Sequence, residues 1–287
     1  MLQIILNGLS IGATYALVAA ALALVFGILE IPDFALGSRL MVGGFVAYYF
    51  VEILFLNYWL GVAAAGLAAA ALGILSELLV YRHLRKRSEA AGFVGALALM
   101  LITVTLFQVL FGTGHRLLTG PFGHAVTTFG DIRIPTHRLV TAIIAVAIVA
   151  GLFLMLRFTT TGKAMRAIVE DRTGALLIGV SLNKMALYAI SIASCIAGVA
   201  GALLGASNLV YATMGDTIII SAFIVVILAG MRSVVGAICM AVALGIVESF
   251  GAYYISADWT HIYGFVLLLS VLAIRPNGMF GTKVVAR

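Results

Sequence analysis

Nine apolar stretches follow one another along this 287-residue chain, at roughly 4–29, 34–56, 59–80, 93–111, 138–156, 185–209, 217–231, 235–256 and 260–274. A bilayer core is about 30 Å thick, and a helix rising 1.5 Å per residue needs about 20 apolar residues to cross it. Soluble domains carry about 25% charged residues. Here 10% are charged and 63% are hydrophobic, which leaves no polar coat. The expected fold class is therefore all-α: a polytopic transmembrane helical bundle of about eight spans, within a range of about 8–10. One or two helices are expected to be broken or re-entrant. The 217–231 stretch is short, and the 34–56 stretch starts after Pro32-Asp33 and contains Gly37, Arg39, Gly43 and Gly44. The 31 glycines and the alanine runs at 63–65 and 68–71 suit close helix packing in lipid.

Charge patterning sets the expected topology. Most of the 17 Lys and Arg lie in three connections: Arg82, Arg85, Lys86 and Arg87; then Arg157, Lys163, Arg166, Arg172 and Lys184; then Arg275, Lys283 and Arg287. Arg232 follows the seventh stretch. The alternate connections are poor in basic residues. The positive-inside rule places the basic set in the cytoplasm. Counting back puts the C-terminus inside and the N-terminus outside. The net charge of +6 is thus read as topology, with the lipid bilayer as partner and no nucleic acid. Met1 to Asn7 lack a basic start, so the first stretch is read as a retained span rather than a cleaved leader. The whole chain, 1–287, is read as one transmembrane domain, with an external loop at 112–137 and a cytoplasmic loop at 158–184. The external loop is expected to form a folded cap or short helix.

Catalytic groupings are not evident. The chain has no H-E-x-x-H, and its G-x-S-x-G match, Gly8-Leu9-Ser10-Ile11-Gly12, lies inside the first apolar stretch rather than at a strand-to-helix elbow. Gly162-Lys163 resembles part of a phosphate loop, but Arg157 stands where the first glycine belongs and Ala164 where Ser or Thr belongs. The five histidines are scattered near span ends and are expected to be solvated, with no metal site. Cys195 and Cys239 are expected to be small buried hydrophobes.

Polar residues inside apolar stretches are the pathway candidates, because unpaired charge there is costly. They are Arg39, Glu52 and Glu248, with Asp33 at the start of the second stretch and Thr14 and Tyr15 in the first; Asp216 and Glu77 are also polar. Glu77 is expected to serve the basic 82–87 cluster structurally. Asp33 and Arg39 lie six apart, too far to pair on one continuous helix unless a glycine kinks it. The segment 159–180 is amphipathic. Ala164, Ala167, Ile168 and Ala175 share a face, while Lys163, Arg166 and Glu170 point away, with Arg166 and Glu170 at pairing distance. It reads as an interfacial surface helix or as a docking helix for a partner.

Five segments in order resemble a known family. Gly162-Lys163-Ala164-Met165-Arg166-Ala167 through Gly179-Val180 resembles the G-[KR]-A-[ML]-R-A…L-G-[IV] signature of permease subunits in ABC importers of the branched-chain amino acid type. Asn7-Gly8-Leu9 through Tyr15-Ala16-Leu17 resembles its opening motif, and Phe34-Ala35-x-Gly37 its N-F-A-H-G. Leu228-Ala229-Gly230-Met231-x-Ser233-x-x-Gly236-Ala237 resembles its glycine motif, and Arg275-Pro276-Asn277-Gly278-Met279-Phe280-Gly281 its closing motif. Departures occur: Asp33 replaces Asn, Leu36 and Ser38 replace His and Glu, Ala229 replaces a Gly, and Arg232 stands at another usual Gly.

The resemblance implies a permease without an ATPase site or cofactor of its own. ATP and Mg would be bound by two partner ATP-binding subunits. A second permease, either a related chain or a copy of this one, and an external substrate-binding protein would complete the importer in a bacterial inner membrane. It also implies that Gly162, Lys163, Arg166, Glu170 and Asp171 face or orient the ATPase. The implied cargo is a branched-chain or related amino acid; urea, short amides and aromatic acids are alternatives within the family. A stand-alone secondary carrier or channel, and an intramembrane enzyme, are the readings from other classes.

Overall fold

The computed structural model describes residues 1–85, 87–123, 125–129, 132–231 and 233–280. Each of the nine apolar stretches forms a helix. They are α1 (Leu2–Leu29), α2 (Ala35–Tyr48), α3 (Tyr58–Ser76), α4 (Glu89–Phe111), α5 (Thr136–Phe158), α8 (Leu182–Ser207), α9 (Met214–Ala229), α10 (Val234–Tyr254) and α11 (Thr260–Ile274). Two shorter helices, α6 (Thr160–Glu170) and α7 (Arg172–Leu177), lie between α5 and α8. Among the described residues, six helical segments are long and apolar enough to cross a membrane; α9 and α11 are shorter apolar helices. The chain is a multi-pass membrane protein.

The 34–56 stretch is not interrupted. It runs as α2 and then continues through a π turn at Tyr49–Ile53. Its glycines mark close approaches rather than breaks. A Cβ on Gly43 would collide with the backbone of Gly198 in α8, and one on Gly37 would lie 3.0 Å from the Gly215 carbonyl oxygen. The short helix is α9. Its first residues, Met214 and Gly215, meet Gly44 and Gly37 of α2. It therefore starts against the body of a neighbouring helix, as the brevity of 217–231 suggests.

The core centres on α1, which is wrapped by α10, α8, α5 and α9. Hydrophobic burial gives little drive between helices in lipid, so close backbone contact carries the packing. Gly8 and Gly12, one turn apart on α1, face α10; a Cβ on either would come 2.8 Å from a backbone atom, of Ile246 or Val242. A Cβ on Gly201 of α8 would overlap the Leu40 carbonyl oxygen of α2. Gly201→Ala is accordingly expected to push α2 from α8, at about 1–3 kcal/mol or more for overpacking. The yield of monodisperse detergent-solubilised protein reads this. Gly151→Ala, at a site with no atom within 4 Å of the added Cβ, serves as the neutral control.

The 112–137 loop is capped by a β-hairpin rather than a helix. β1 (Val126–Phe129) pairs antiparallel with β2 (Ile132–Pro135), with Val126 opposite Pro135. The Val-Thr-Thr-Phe and Ile-Arg-Ile pattern favours strands through its β-branched residues. Arg116 anchors the loop. It exchanges backbone hydrogen bonds with Val210 (both 2.9 Å), and its guanidinium donates to the Phe111 carbonyl (2.6 Å).

The ends of the helices sort as the charge pattern requires. Glu30 at the end of α1 pairs with Arg172 of α7, and Arg85 after α3 reaches Asn183 at the start of α8. At the opposite end, Glu52 accepts from the Thr119 N–H (2.7 Å) and Tyr254 meets Met1. The basic connections share one end of the bundle. Arg232, Lys86, Lys283 and Arg287 lie outside the described residues.

Candidate functional site

The candidate residues fall in two polar clusters and one surface. The first cluster lies where the chain turns from α1 into α2. Asp33 precedes α2, and Arg39 sits on its second turn. Because Asp33 lies outside the helix, no kink is needed. The carboxylate folds back to accept from Arg39 Nη1 at 2.7 Å, with both side chains at most 2% exposed. Tyr81, in the π turn Glu77–Tyr81 that extends α3, donates its hydroxyl to the other carboxylate oxygen at 2.5 Å. The Arg39 guanidinium also lies 5.9 Å from the Tyr81 ring centroid. Buried charge is tolerated only when paired and hydrogen-bonded, and here one anion takes up a cation and a phenol. Tyr81 escapes sequence reasoning, because a tyrosine in an apolar run carries no signal. Leu36 and Ser38, where the family pattern has His and Glu, are buried beside this pair; Ser38 donates only to the Ala35 carbonyl.

At the start of the same π turn, Glu77 accepts from Arg85 at 2.5 Å, so it does serve the basic cluster. That pair is buried. Glu77 is 2% exposed and Arg85 7%.

The second cluster joins α1 to α10. The Tyr15 hydroxyl donates to Glu248 at 2.9 Å, and Glu248 is buried. The two residues are separated by 233 positions, so no spacing could reveal the contact. Thr14 turns back on its own helix and donates to the Ile11 carbonyl at 2.7 Å. Glu52 lies at the end of the bundle opposite the basic connections, binding the 112–137 loop through Thr119. The structure thus unites Asp33 with Arg39 and Tyr15 with Glu248, and separates Thr14 and Glu52 from both.

The surface is the α6–α7 segment. Thr159 caps α6 by accepting from the Gly162 N–H at 3.0 Å, and Asp171 caps α7 by accepting from the Gly174 N–H at 3.1 Å. Gly162 is packed so closely on the end of α5 that a Cβ there would meet the Met155 and Leu156 backbone. Met165, Ile168 and Ala175 are buried toward the bundle. Lys163, Arg166, Glu170 and Asp171 are exposed. Arg166 does not pair with Glu170; it donates to the Arg157 carbonyl at 3.3 Å. At the end of α7 Leu177 and Ile178 are exposed, 83% and 77%, before Gly179 turns the chain at φ 88°. Exposed aliphatic side chains beside charges are a pattern of protein contact surfaces.

Arg166 and Glu170 also line a cleft of about 720 Å³ shared with Arg157, Ser233 and Phe280. Here two of the resembling motifs meet. Met279 and Phe280 donate their N–H groups to the Leu228 and Ala229 carbonyls (2.8 and 3.1 Å), completing the end of α9. Gly278, at φ 79°, leaves no room for a Cβ against Gly230. A separate groove of about 740 Å³ between α1, α5 and α10 is lined by apolar side chains, Ser10 and Cys239, and holds none of the charged candidates.

Cys239 is exposed in that groove and Cys195 is half-buried, so neither is the fully buried hydrophobe expected. His137 is buried rather than solvated, because its Nε2 bonds the Leu203 carbonyl (3.1 Å) and its ring meets Tyr58 edge-on. His124 lies outside the described residues, as does the His261 side chain. Among the described residues no cluster of His, Cys, Asp or Glu could hold a metal ion.

A bundle with polar pairs inside and a charged, capped helix pair at its basic end defines a membrane permease. Residues 4–272 match the family described as branched-chain amino acid transport system / permease component, and the chain belongs to that family. It is similar to the high-affinity branched-chain amino acid transport system permease protein LivH of Escherichia coli K12, with 28% identity covering 100% of this chain and 97% of that one. It is 27% identical to BraD of Pseudomonas aeruginosa, described in the same words, over the same shares. A probable LivH of Methanocaldococcus jannaschii is 27% identical over 92% of this chain and 88% of that protein. Among solved structures, PsaBC from Streptococcus pneumoniae in complex with Fab shares the fold, with a TM-score of 0.52 and 15% identity over 94% of this chain and 91% of that one.

Proposed function

We propose that this chain is the membrane-crossing subunit of an ABC importer that moves branched-chain or related amino acids inward across a bacterial inner membrane. ATP is hydrolysed, with Mg, on two partner ATP-binding subunits. A second permease, a related chain or a copy, completes the path, and an external binding protein delivers the cargo. The observation that carries this reading is the α6–α7 surface. Its buried face fixes it to the bundle, while Lys163, Arg166, Glu170, Asp171, Leu177 and Ile178 point away from it. Such a surface suits a soluble partner that drives the bundle. The names of the relatives support the cargo class, and the failed phosphate-loop match supports hydrolysis on another chain. Clustering of the basic connections at this end supports a cytoplasmic placement of α6–α7 and the C-terminus, with the N-terminus external.

One observation favours a second reading. Glu248, buried in the bundle with a tyrosine partner, is a group that a stand-alone proton-driven carrier would use. A tagged pull-down from mild detergent, with mass spectrometry, separates the two. Co-purification of an ATPase and a second permease is expected. Recovery of this chain alone, even after crosslinking, would favour the carrier.

A further inference from the structure

The turn between α1 and α2 is held at both of its ends by charge. Glu30, the last residue of the α1 turn, pairs with Arg172 at 2.8 Å, and Arg172 opens α7 in the segment proposed to meet the ATPase. Three residues on, Asp33 is locked to Arg39 and Tyr81 inside the bundle. We propose that residues 30–33 form a strap that carries movement of the α6–α7 segment to the buried end of α2. This inference rests on the reading of α6–α7 as an ATPase-docking surface.

The strap is short and stiff. Three residues span at most about 10 Å. Glu30 is held at φ 58°, a left-handed conformation uncommon for a non-glycine residue, with its N–H on the Phe26 carbonyl. Ile31 is buried against Gly92 of α4, and Pro32 fixes its own φ. A displacement at Arg172 therefore finds little slack before it reaches Asp33.

The two ends differ in a way that suits the role. The Glu30–Arg172 pair is about one-third exposed on both sides. Partly hydrated pairs separate and re-form cheaply. The Asp33–Arg39 pair is fully buried, where losing a partner is costly. The outer end is thus the releasable one and the inner end the fixed one. Beyond Asp33 the path continues through backbone contact. α2 meets the first turn of α9 at Gly37 and Gly215, and α8 at Gly43 and Gly198. Pulling the start of α2 displaces the start of the short helix.

The test uses the full importer in proteoliposomes, with cargo uptake and ATP hydrolysis measured on the same preparation. Glu30→Gln and Arg172→Gln are each expected to lower cargo moved per ATP by about fivefold or more. The amount of ATPase co-purifying should not change. The swapped pair Glu30→Arg with Arg172→Glu is expected to recover most of the coupling. Glu30 lies in the turn after α1 and outside the α6–α7 segment, so Glu30→Gln separates the strap from direct loss of docking. Normal coupling in both single variants, or a swap no better than the singles, would overturn the strap alone. A wild-type preparation that moves cargo without consuming ATP would overturn the docking reading, and the strap with it.

Discussion

Asp33→Asn is expected to destabilise the folded permease by about 3–5 kcal/mol, the range found when one partner of a buried ion pair is removed. The substitution restores the residue usual in the family pattern, so a family comparison alone would rank it harmless. The structure gives the opposite sign. Arg39 is 2% exposed, its Nη1 is bonded to Asp33, and its Nη2 has no hydrogen-bond partner. A neutral amide at 33 leaves a cation in the bundle without its hydrogen-bonded counter-charge. Arg39→Leu is expected to cost less, because Asp33 keeps the Tyr81 hydroxyl. The double variant Asp33→Asn with Arg39→Leu removes both charges and is expected to recover most of the lost stability, since a buried pair is worth little relative to an apolar replacement. Thermal aggregation followed by fluorescence-detected gel filtration reads all three. Additive losses in the double variant would mean that the two side chains do not act as a pair.

The second large effect is functional. Arg166→Glu is expected to reduce cargo uptake about 100-fold or more, the scale set by like-charge juxtaposition at a docked surface, which costs several kcal/mol. Its structural cost is small, because Arg166 is exposed and its one hydrogen bond, to the Arg157 carbonyl, is long at 3.3 Å. The variant should reach the membrane in normal amount and fail to retain the ATPase in a pull-down. Leu177→Ser with Ile178→Ser probes the apolar part of the same surface and should weaken retention in the same direction. Normal uptake in Arg166→Glu would remove α6 from the docking surface.

The charge-reversed α6 and the neutralised Asp33 test different links. One leaves the bundle intact and removes the drive, whereas the other loosens the element that the drive would move. Stability and uptake measured together on both variants therefore place each residue on its own link.

Much of this protein is determined by sequence, because the bilayer leaves few solutions. Backbone polar groups in lipid must be satisfied within each segment. Nine apolar stretches therefore become nine helices, and their basic connections gather at one end. The amphipathic pattern of 160–175 was equally legible. Ile168 and Ala175 are inward and Lys163, Arg166 and Glu170 outward, whereas Ala164 and Ala167 are only half-buried and Met165 is the residue that turns fully inward beside them. The 112–137 loop was legible only as a folded cap or short helix, since short β-branched runs do not announce whether they pair.

What the tertiary structure decided is which polar residues meet. Tyr15 and Glu248 lie 233 positions apart, and Asp33 and Tyr81 lie 48 apart; only the packing of the bundle brings them within 3 Å. The same holds for the glycines. Their number signals close packing, but only the assembled bundle shows that Gly37 meets Gly215 and that Gly278 meets Gly230. Local periodicity is written by covalent geometry over a few residues. Partner choice across the bundle depends on how whole helices pack, and no short window of sequence contains that information.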